Sequence, residues 1–366
     1  MKRYPKFILY LDRVTENASK VVEFCASRGV EVSAVSKGVL AEPRVVRAMV
    51  EGGCRSFSDS RIRNLEVLKK HFPDIPRTLL RIPMKSELRD VVRVADCSMV
   101  SMKESVEALE SMCVSENATH KVILMFDLGD RREGILDARN KNGKEDDMAA
   151  FVEVLKKASK VVLHGVGVNF GCFAGVLPSA AALNRLSLAR EALQRELSYL
   201  VPVCSGGSTS SLALLERDVL PRGVNHLRIG EAILLGQDET RERTIPWLRN
   251  DTMCLEAEVV EARVKPSLPE GDTGLDAFGN RPSFKDEGDH FRVIAAIGRQ
   301  DVRLEGISPV RDGLKILGGS SDHTILSANT NSVELHWADV LVFSVNYSAM
   351  LTLMTSPYVS KEYRNA

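Results

Sequence analysis

Short apolar segments alternate with longer amphipathic segments through the N-terminal part of the chain. Eight of the apolar segments have the length and composition of buried strands. In order they are Val32–Lys37, Arg55–Ser58, Thr78–Ile82, Ser98–Val100, Val122–Asp127, Val161–Asn169, Val201–Ser205 and His226–Ile229. Strands that alternate with helices predict a parallel sheet, and eight such units over about 200 residues predict an α/β fold, the closed (β/α)8 TIM barrel.

The pattern changes near Trp247, where apolar and polar residues begin to alternate one by one. This period is typical of antiparallel strands with one buried face. The predicted strands are Glu256–Val264, Arg292–Ile297, Lys315–Leu317, Thr324–Leu326, Ser332–Trp337 and Val340–Val345. We therefore expect a barrel over residues 12–240 and a mainly antiparallel β-domain over residues 241–366. The strand Phe7–Leu11 is left outside the barrel count, so residues 4–11 are assigned to the β-domain.

Two segments interrupt this pattern. Lys265–His290 is long and rich in Pro, Gly and Asp, which is typical of a disordered loop or an interaction surface. Asn140–Asp147 is highly charged and is predicted to be a solvated loop.

The net charge and the cysteines argue against several classes of function. Lys+Arg and Asp+Glu are both 49, so bulk charge attracts the chain neither to nucleic acid nor to a membrane surface. We identify no signal peptide and no apolar run near the roughly 20 residues that span a bilayer. The 7 cysteines include no CxxC pair, which predicts no metal site and favours a reducing cytoplasm.

Lys37 ends the first predicted barrel strand, and a helix with Pro43 in its first turn follows. Barrel enzymes carry their chemistry at the carboxyl ends of strands. Half-burial there would lower the pKa of Lys37, so that its amine would act as a nucleophile or base near neutral pH. The alternative is a lysine that extends from a strand end into solvent.

Two polar turns follow the seventh and eighth predicted strands. Ser205–Ser210 (SGGSTS) combines glycines with three hydroxyls, and Leu227–Glu231 (LRIGE) offers a further N–H at a helix start. Barrels often bind phosphate between these two loops. Taken alone, a Gly/Ser-rich turn is more often an ordinary turn.

Three further polar groups follow predicted strands. Asp127–Gly134 (DLGDRREG) is either a solvated charged face or a source of an arginine that binds a substrate carboxylate. Asn169 would either pack on a ring or satisfy a turn. Gly319–His323 (GSSDH) is either a turn between two strands or a source of acid/base groups.

Lys37, the DLGDRREG segment, SGGSTSS and LRIGEAILLG occur in this order at barrel-like spacing. Together they resemble the alanine racemase superfamily, the fold-type III pyridoxal-phosphate (PLP) enzymes, and most closely the alanine/ornithine racemase branch. The resemblance covers nearly the whole chain. It implies a PLP cofactor and a homodimer whose active sites are shared between subunits.

The resemblance assigns roles residue by residue. Lys37 would bind PLP covalently, and its amine would then remove or return the Cα proton. Arg228 would face the pyridine nitrogen, and Arg132 would lie near the ring hydroxyl and the substrate carboxylate. The remaining cofactor contacts would come from Asn169 on the ring and, at the phosphate, from Ser208, Thr209, Gly230, Glu231 and Tyr347.

The chain departs from the family at two positions. Met125 stands where several alanine racemases have a lysine. Arg299, in Gly298–Asp301, stands where the family has the tyrosine that the partner subunit supplies as second base, and arginine is a poor base. We expect His323 and Asp322 to replace it, with Ser321 beside them contacting substrate; Cys172 is a weaker candidate.

The sequence thus predicts a cytoplasmic PLP-dependent amino-acid racemase that forms a homodimer. Acidic residues, namely Asp130, Glu133, Asp301 and Asp322, favour a basic substrate such as ornithine or lysine over alanine. The alternatives are a decarboxylase or aldolase that uses the same cofactor, and a non-catalytic PLP-binding protein.

Overall fold

The computed structural model describes residues 3–136, 147–328 and 334–365. The chain divides into two compact units, Asp12–Asn250 and the combination of Met1–Leu11 with Asp251–Ala366. The predicted charged loop Asn140–Asp147 lies outside the described residues except for its last residue, which begins a helix.

Strands and helices alternate through the first 250 residues. The strands are β1 Lys6–Tyr10, β2 Glu31–Val35, β3 Phe57–Asp59, β4 Arg77–Leu79, β5 Cys97–Val100, β6 His120–Asp127, β7 Ile135–Leu136, β8 Val161–Val168, β9 Val203–Ser205, β10 His226–Ile229, β11 Gln237–Asp238 and β12 Arg243–Thr244. The helices are α1 Leu11–Ala26, α2 Pro43–Glu51, α3 Ile62–His71, α4 Leu88–Val94, α5 Lys103–Ser115, α6 Asp147–Lys157, α7 Ala180–Leu197, α8 Leu212–Glu216 and α9 Glu231–Leu235.

Eight parallel strands close into a barrel, which confirms the predicted fold class. The strand order is β5-β4-β3-β2-β10-β9-β8-β6, and pairing of β5 with β6 closes the ring. The short strand β7 adds to β6 outside this ring. Because all eight strands run in the same direction, their carboxyl ends form one face of the barrel, and the loops that follow them meet there.

Helix α2 shows how local sequence builds the barrel wall. The side chain of Glu42 caps its N-terminus, Pro43 occupies the first turn, and Gly52 ends it. A Cβ atom at Gly52 would lie 2.5 Å from Cβ of Ala18 on α1. Glycine at this position therefore allows the end of α2 to pack directly against α1.

The second unit is a mainly antiparallel sheet, as predicted. Its remaining strands and its helix are β13 Met253–Pro266, β14 Asp289–Ala295, β15 Ile307–Pro309, β16 Lys315–Gly319, β17 Thr324–Ala328, β18 Val340–Val345, α10 Tyr347–Thr355 and β19 Ser360–Arg364. The central order is β15-β18-β13-β14-β17-β16. Strand β1 joins this sheet, antiparallel to β13 and parallel to β19.

Some sequence-based boundaries in this unit were wrong. Residues 334–337 of the predicted strand Ser332–Trp337 form a loop and a turn, and the first two residues of that segment lie outside the described residues. Residues 267–288, between β13 and β14, have no regular secondary structure, and all of them except Ser267 are exposed. Within the described ranges, no helix combines the length and apolarity that a membrane span requires.

Candidate active site

Lys37 lies at the carboxyl-end face of the barrel. Strand β2 ends at Val35, so the prediction that Lys37 is the last strand residue was wrong; it instead begins a 3-10 turn that ends at Val39. The side chain is half-buried, and its amine has no hydrogen-bond or ion-pair partner among the described residues. Burial is the largest cause that lowers the pKa of Lys37.

Four ionisable groups act on the Lys37 amine. The Cys172 thiol and the Asp59 carboxyl raise its pKa, whereas the nearby guanidinium groups of Arg132 and Arg228 lower it. Together with burial, the net effect is a pKa below that of an ordinary lysine. The amine is therefore prepared to act as a nucleophile or base.

Asp59 is a neighbour of Lys37 that sequence reasoning missed. It ends β3, next to β2, and its buried carboxylate accepts hydrogen bonds from Ser36 Oγ at 2.7 Å and from Asn64 Nδ2 and Arg61 N at 3.0 Å each. Burial is the main cause that raises the pKa of Asp59. Because Ser36 directly precedes Lys37, this carboxylate anchors the backbone from which the lysine extends.

Arg228 is the centre of a buried hydrogen-bond network. Its guanidinium donates to Val168 O at 2.7 Å, to Asn169 Oδ1 at 2.8 Å and to Ser205 Oγ. Asn169 Nδ2 in turn donates to Glu133 Oε1 at 2.9 Å, and Glu133 also pairs with Arg132. Residues that follow β6 and β8 are thus linked to residues on β9 and β10. Burial lowers the pKa of Arg228 to about 10.

Ser205 extends this network into the barrel. Its hydroxyl oxygen accepts a hydrogen bond from Arg228, so its own O–H is free to donate to Nδ1 of His226 at 2.8 Å. Burial, followed by the charge of Arg228, lowers the pKa of His226 to about 3. His226 is therefore neutral at physiological pH, and Ser205 is fixed as a donor toward it and an acceptor from Arg228.

The loops after β9 and β10, residues 206–211 and 230–232, pack closely together, and we call them the cradle. A Cβ atom at Gly207 would lie 2.9 Å from Ser211 Oγ, and one at Gly230 would lie 3.0 Å from Cβ of Val35, so both backbones approach their neighbours closely. Thr209 Oγ1 accepts from Ala232 N at 3.2 Å and ties the loops together.

Several donors remain in this cradle. The hydroxyl of Ser210 is buried and has no hydrogen-bond partner among the residues that the structure describes. Ser208 and Gly230 are the N-cap residues of the short helices that follow. The first N–H groups of a helix have no intrahelical acceptor, so these turns can bind an anion.

The carboxyl of Glu231 adjoins this cradle. Its Oε1 accepts from Glu239 N at 2.7 Å. Burial is the main cause that raises the pKa of Glu231 to about 8, so the side chain is largely neutral at pH 7 and adds little repulsion toward an anion.

Four predicted site residues belong to the second unit. Ser321, Asp322 and His323 are exposed in the turn between β16 and β17, where Ser321 Oγ donates to Asp322 Oδ2 at 2.6 Å. This turn packs against the turn of Arg299, whose N–H donates to Ser320 O at 2.9 Å. Tyr347 is half-buried and begins α10. The catalytic, substrate and cofactor roles of these residues stay predictions.

Comparison with known proteins gives consistent matches over most of the chain. The family model "Alanine racemase, N-terminal domain" matches residues 9–238. A lysine racemase of Thermotoga maritima is 38% identical over 360 residues, which is 98% of each chain. An ornithine racemase of Acetoanaerobium sticklandii is 36% identical over 359 residues, which is 98% of this chain and 99% of that one.

Solved structures share the fold at low sequence identity. An alanine racemase of Streptomyces lavendulae aligns with a TM-score of 0.76 at 15% identity, covering 100% of this chain and 98% of that one. A D-threonine aldolase of Filomicrobium marinum aligns with a TM-score of 0.72 at 16% identity, covering 96% and 88%. With the family model matching most of the barrel, the chain belongs to the alanine racemase family.

Proposed function

We propose that this protein is a PLP-dependent racemase of basic amino acids such as lysine or ornithine. The observation that carries the proposal is the half-buried Lys37 at the barrel end that also holds the cradle. Its pKa is lowered, and its amine has no partner among the described residues. The substrate class is supported by the lysine and ornithine racemases that match over 98% of this chain.

The residues at this end of the barrel fit PLP. Ser210 has a buried hydroxyl without a partner in the described part of the chain, and the backbone at Gly207 and Gly230 approaches its neighbours closely. Both features suit a phosphate group. The phosphate would be held by Ser208, Thr209 and the backbone N–H groups of Gly230 and Glu231, with Tyr347 as a further contact. When bound, PLP supplies an electron sink that makes the Cα proton of an attached amino acid acidic.

The residues of the chain then have distinct tasks. Lys37 would hold the cofactor covalently and, as a neutral amine, would accept or return the Cα proton at Nζ. Arg228 can only donate hydrogen bonds, so beside the pyridine nitrogen it would disfavour protonation there and favour simple proton return over transamination. Arg132 would bind the substrate carboxylate, and Asn169 would hold Arg228 in place beside the ring.

The four acidic residues that favoured a basic substrate differ in whether their carboxylates are already engaged within the protein. The Asp130 carboxylate is buried and accepts hydrogen bonds from three backbone N–H groups, so we assign it a structural role. Glu133 is engaged by Arg132 and Asn169, and Asp301 accepts from Ser356 Oγ at 2.5 Å. Asp322 is exposed and is our candidate partner for a distal ammonium.

We also propose a homodimer, as the resemblance to alanine racemases implies, in a reducing compartment. None of the seven cysteines, all of which lie in the described part of the chain, forms a disulfide, which supports the compartment. Light scattering of the purified protein tests the oligomeric state; a monomeric mass in the active preparation would contradict it.

The function is tested by incubating the purified protein with PLP and single enantiomers of lysine, ornithine and alanine in deuterated water. We expect an absorbance band of the bound cofactor, loss of optical activity and deuterium at Cα, with lysine or ornithine turned over faster than alanine. Release of carbon dioxide or of an aldehyde would instead indicate a decarboxylase or an aldolase. Cofactor binding without exchange on any amino acid would indicate a non-catalytic PLP-binding protein.

A further inference from the structure

Racemisation requires proton carriers on both faces of the α-carbon, and Lys37 serves only one. Arg299, at the position of the family's tyrosine, is a permanent cation and pairs with Glu305 at 2.8 Å. It is therefore unsuited to accept a proton. The second carrier has to be another group, and this inference rests on the proposed racemase function.

We propose that Cys172 is this second acid/base, working on the face of the α-carbon opposite to Lys37. The residue follows β8 by four positions, in the same loop as Asn169, which contacts Arg228. It belongs to the same compact unit as Lys37 and the phosphate cradle.

The loop that carries Cys172 is held in a defined place. The buried Asp130 carboxylate accepts the N–H groups of Phe173 at 3.1 Å, Ala174 at 3.2 Å and Val176 at 3.4 Å. On the other side of Cys172, Phe170 is 1% exposed, and its ring lies 3.6 Å from the Cβ position of Gly207 in the phosphate cradle. The loop is therefore fixed between the segment that follows β6 and the cradle.

The other ionisable groups that act on Lys37 are poorly suited to this task. Arg132 and Arg228 remain cationic, and Asp59 is fully buried with its carboxylate engaged by three donors. Cys172 is exposed, and its Sγ makes one weak contact, 3.5 Å to Phe170 O. A thiol can donate a proton, and its thiolate can accept one.

The charge of the thiolate also acts on the cations of the site. Cys172 is the charged group with the largest effect on the pKa of Lys37, and it also raises the pKa values of Arg132 and Arg228. This common influence agrees with the position of the loop, whose residues Asn169 and Phe170 contact Arg228 and lie beside Gly207.

Each direction of racemisation uses one proton transfer at Lys37 and one at Cys172. In one direction, the Cα–H bond breaks, the proton moves to Lys37 Nζ, and its electron pair stays on the α-carbon. A new C–H bond then forms on the opposite face as the S–H bond of Cys172 breaks and leaves its electron pair on sulfur. Exchange with water restores the thiol and the neutral amine. In the other direction, the thiolate accepts the proton and Lys37 returns one.

The test compares Cys172→Ala and Cys172→Ser with wild type, each loaded with PLP, in deuterated water with pure L- or D-lysine. Inversion is expected to fall by at least about 100-fold in both variants. Deuterium should still enter one enantiomer without inversion, because Lys37 continues to exchange the proton on its own face. Cys254→Ser is the control, since Cys254 is a partly buried thiol in the β-domain.

The outcomes separate this inference from the proposed function. If wild type does not racemise any amino acid, the proposed function fails and the inference with it. If wild type racemises and both Cys172 variants invert lysine at the wild-type rate, only the role of Cys172 is overturned. Equal loss of exchange with both enantiomers, while the cofactor band is retained, would also overturn it, because a general distortion of the site gives no one-sided exchange.

Discussion

Arg77 and Lys37 lie at opposite ends of barrel strands, and they differ in how far their side chains are hydrogen-bonded. Arg77, the first residue of β4, donates to Val94 O and Pro73 O at 3.0 Å each and to Ile75 O at 2.8 Å, and it pairs with Asp96 at 3.1 Å. Lys37, just beyond the carboxyl end of β2, has an amine without a partner among the described residues and a lowered pKa. The first cation is committed to the fold, whereas the second is available to a ligand.

This difference agrees with how barrels divide stability from activity. The amino-end face holds connections that stabilise the fold, and the carboxyl-end face holds the chemistry. Buried polar groups occur at both ends here, so burial alone does not identify the active site. Unpaired polar atoms also occur at the amino end, where Nδ1 of His120 is buried and has no partner among the described residues. The carboxyl end differs in that its unpaired groups, the amine of Lys37 and the hydroxyl of Ser210, lie on the face where barrel enzymes carry their chemistry.

The largest effect should come from Lys37→Ala. Loss of the group that binds the cofactor and moves the proton is expected to reduce racemisation by roughly 10³-fold or more and to abolish the cofactor absorbance band. Because the amine has no partner in the described ranges, the urea midpoint should change little. Lys20→Ala, an exposed lysine that pairs with Glu16 on α1, is the matched control and should retain activity. A variant with the band intact would refute the role of Lys37.

For Arg77→Met we expect a loss of stability with little change in activity, the opposite of Lys37→Ala. Removing this guanidinium leaves several carbonyl groups without their donor, which should lower the free energy of unfolding by about 2–4 kcal/mol. The kcat of the folded variant should stay near that of wild type. Urea denaturation followed by circular dichroism measures the first quantity and a chiral assay the second. A large fall in kcat with unchanged stability would remove the contrast between the two barrel ends.

The buried ring of His120, at the amino end of the barrel, should make the free energy of unfolding depend on pH. Its ring is buried at the start of β6, its Nε2 lies 2.8 Å from Ser98 Oγ, and burial lowers its pKa from 6.5 to about 4. Between these two values the unfolded chain binds one proton more than the native protein, so stability falls as the pH falls through this window. The contribution is about 1.4 kcal/mol per pH unit.

The variant His120→Gln isolates this contribution. Its free energy of unfolding should depend less steeply on pH than that of wild type between pH 6.5 and about 4, with parallel curves above this window. Urea denaturation at several pH values gives both slopes. Identical slopes would mean that the native protein accommodates a charged His120.

The smallest effect, a shift in pH dependence, should come from Asp59→Asn. The Asp59 charge raises the pKa of Lys37, so its removal should lower that pKa further. Arg132→Gln should shift it in the opposite direction, because Arg132 lowers it. The pH profile of PLP binding to the apoenzyme reports the neutral amine. Shifts in the same direction for both variants would contradict this electrostatic account.

Several features followed from local sequence. The eight apolar segments and the helical patterns between them predicted the barrel, because strand length and helical period are local properties. The motifs around Lys37, Ser208 and Arg228 were recognised because each lies at or just beyond the carboxyl end of a predicted strand. The exact end of β2 was not predicted, since the turn at Lys37 depends on backbone hydrogen bonds rather than on composition.

Other features depended on tertiary structure. Asp59 became a neighbour of Lys37 only because β2 and β3 pair in parallel with their carboxyl ends on one face. The network from Arg132 through Glu133 and Asn169 to Arg228 joins residues far apart in sequence. The sequence by itself therefore determined the barrel and the identity of its lysine. The closed sheet decided which charges surround that lysine, because pKa values depend on distances and burial, which strand pairing creates.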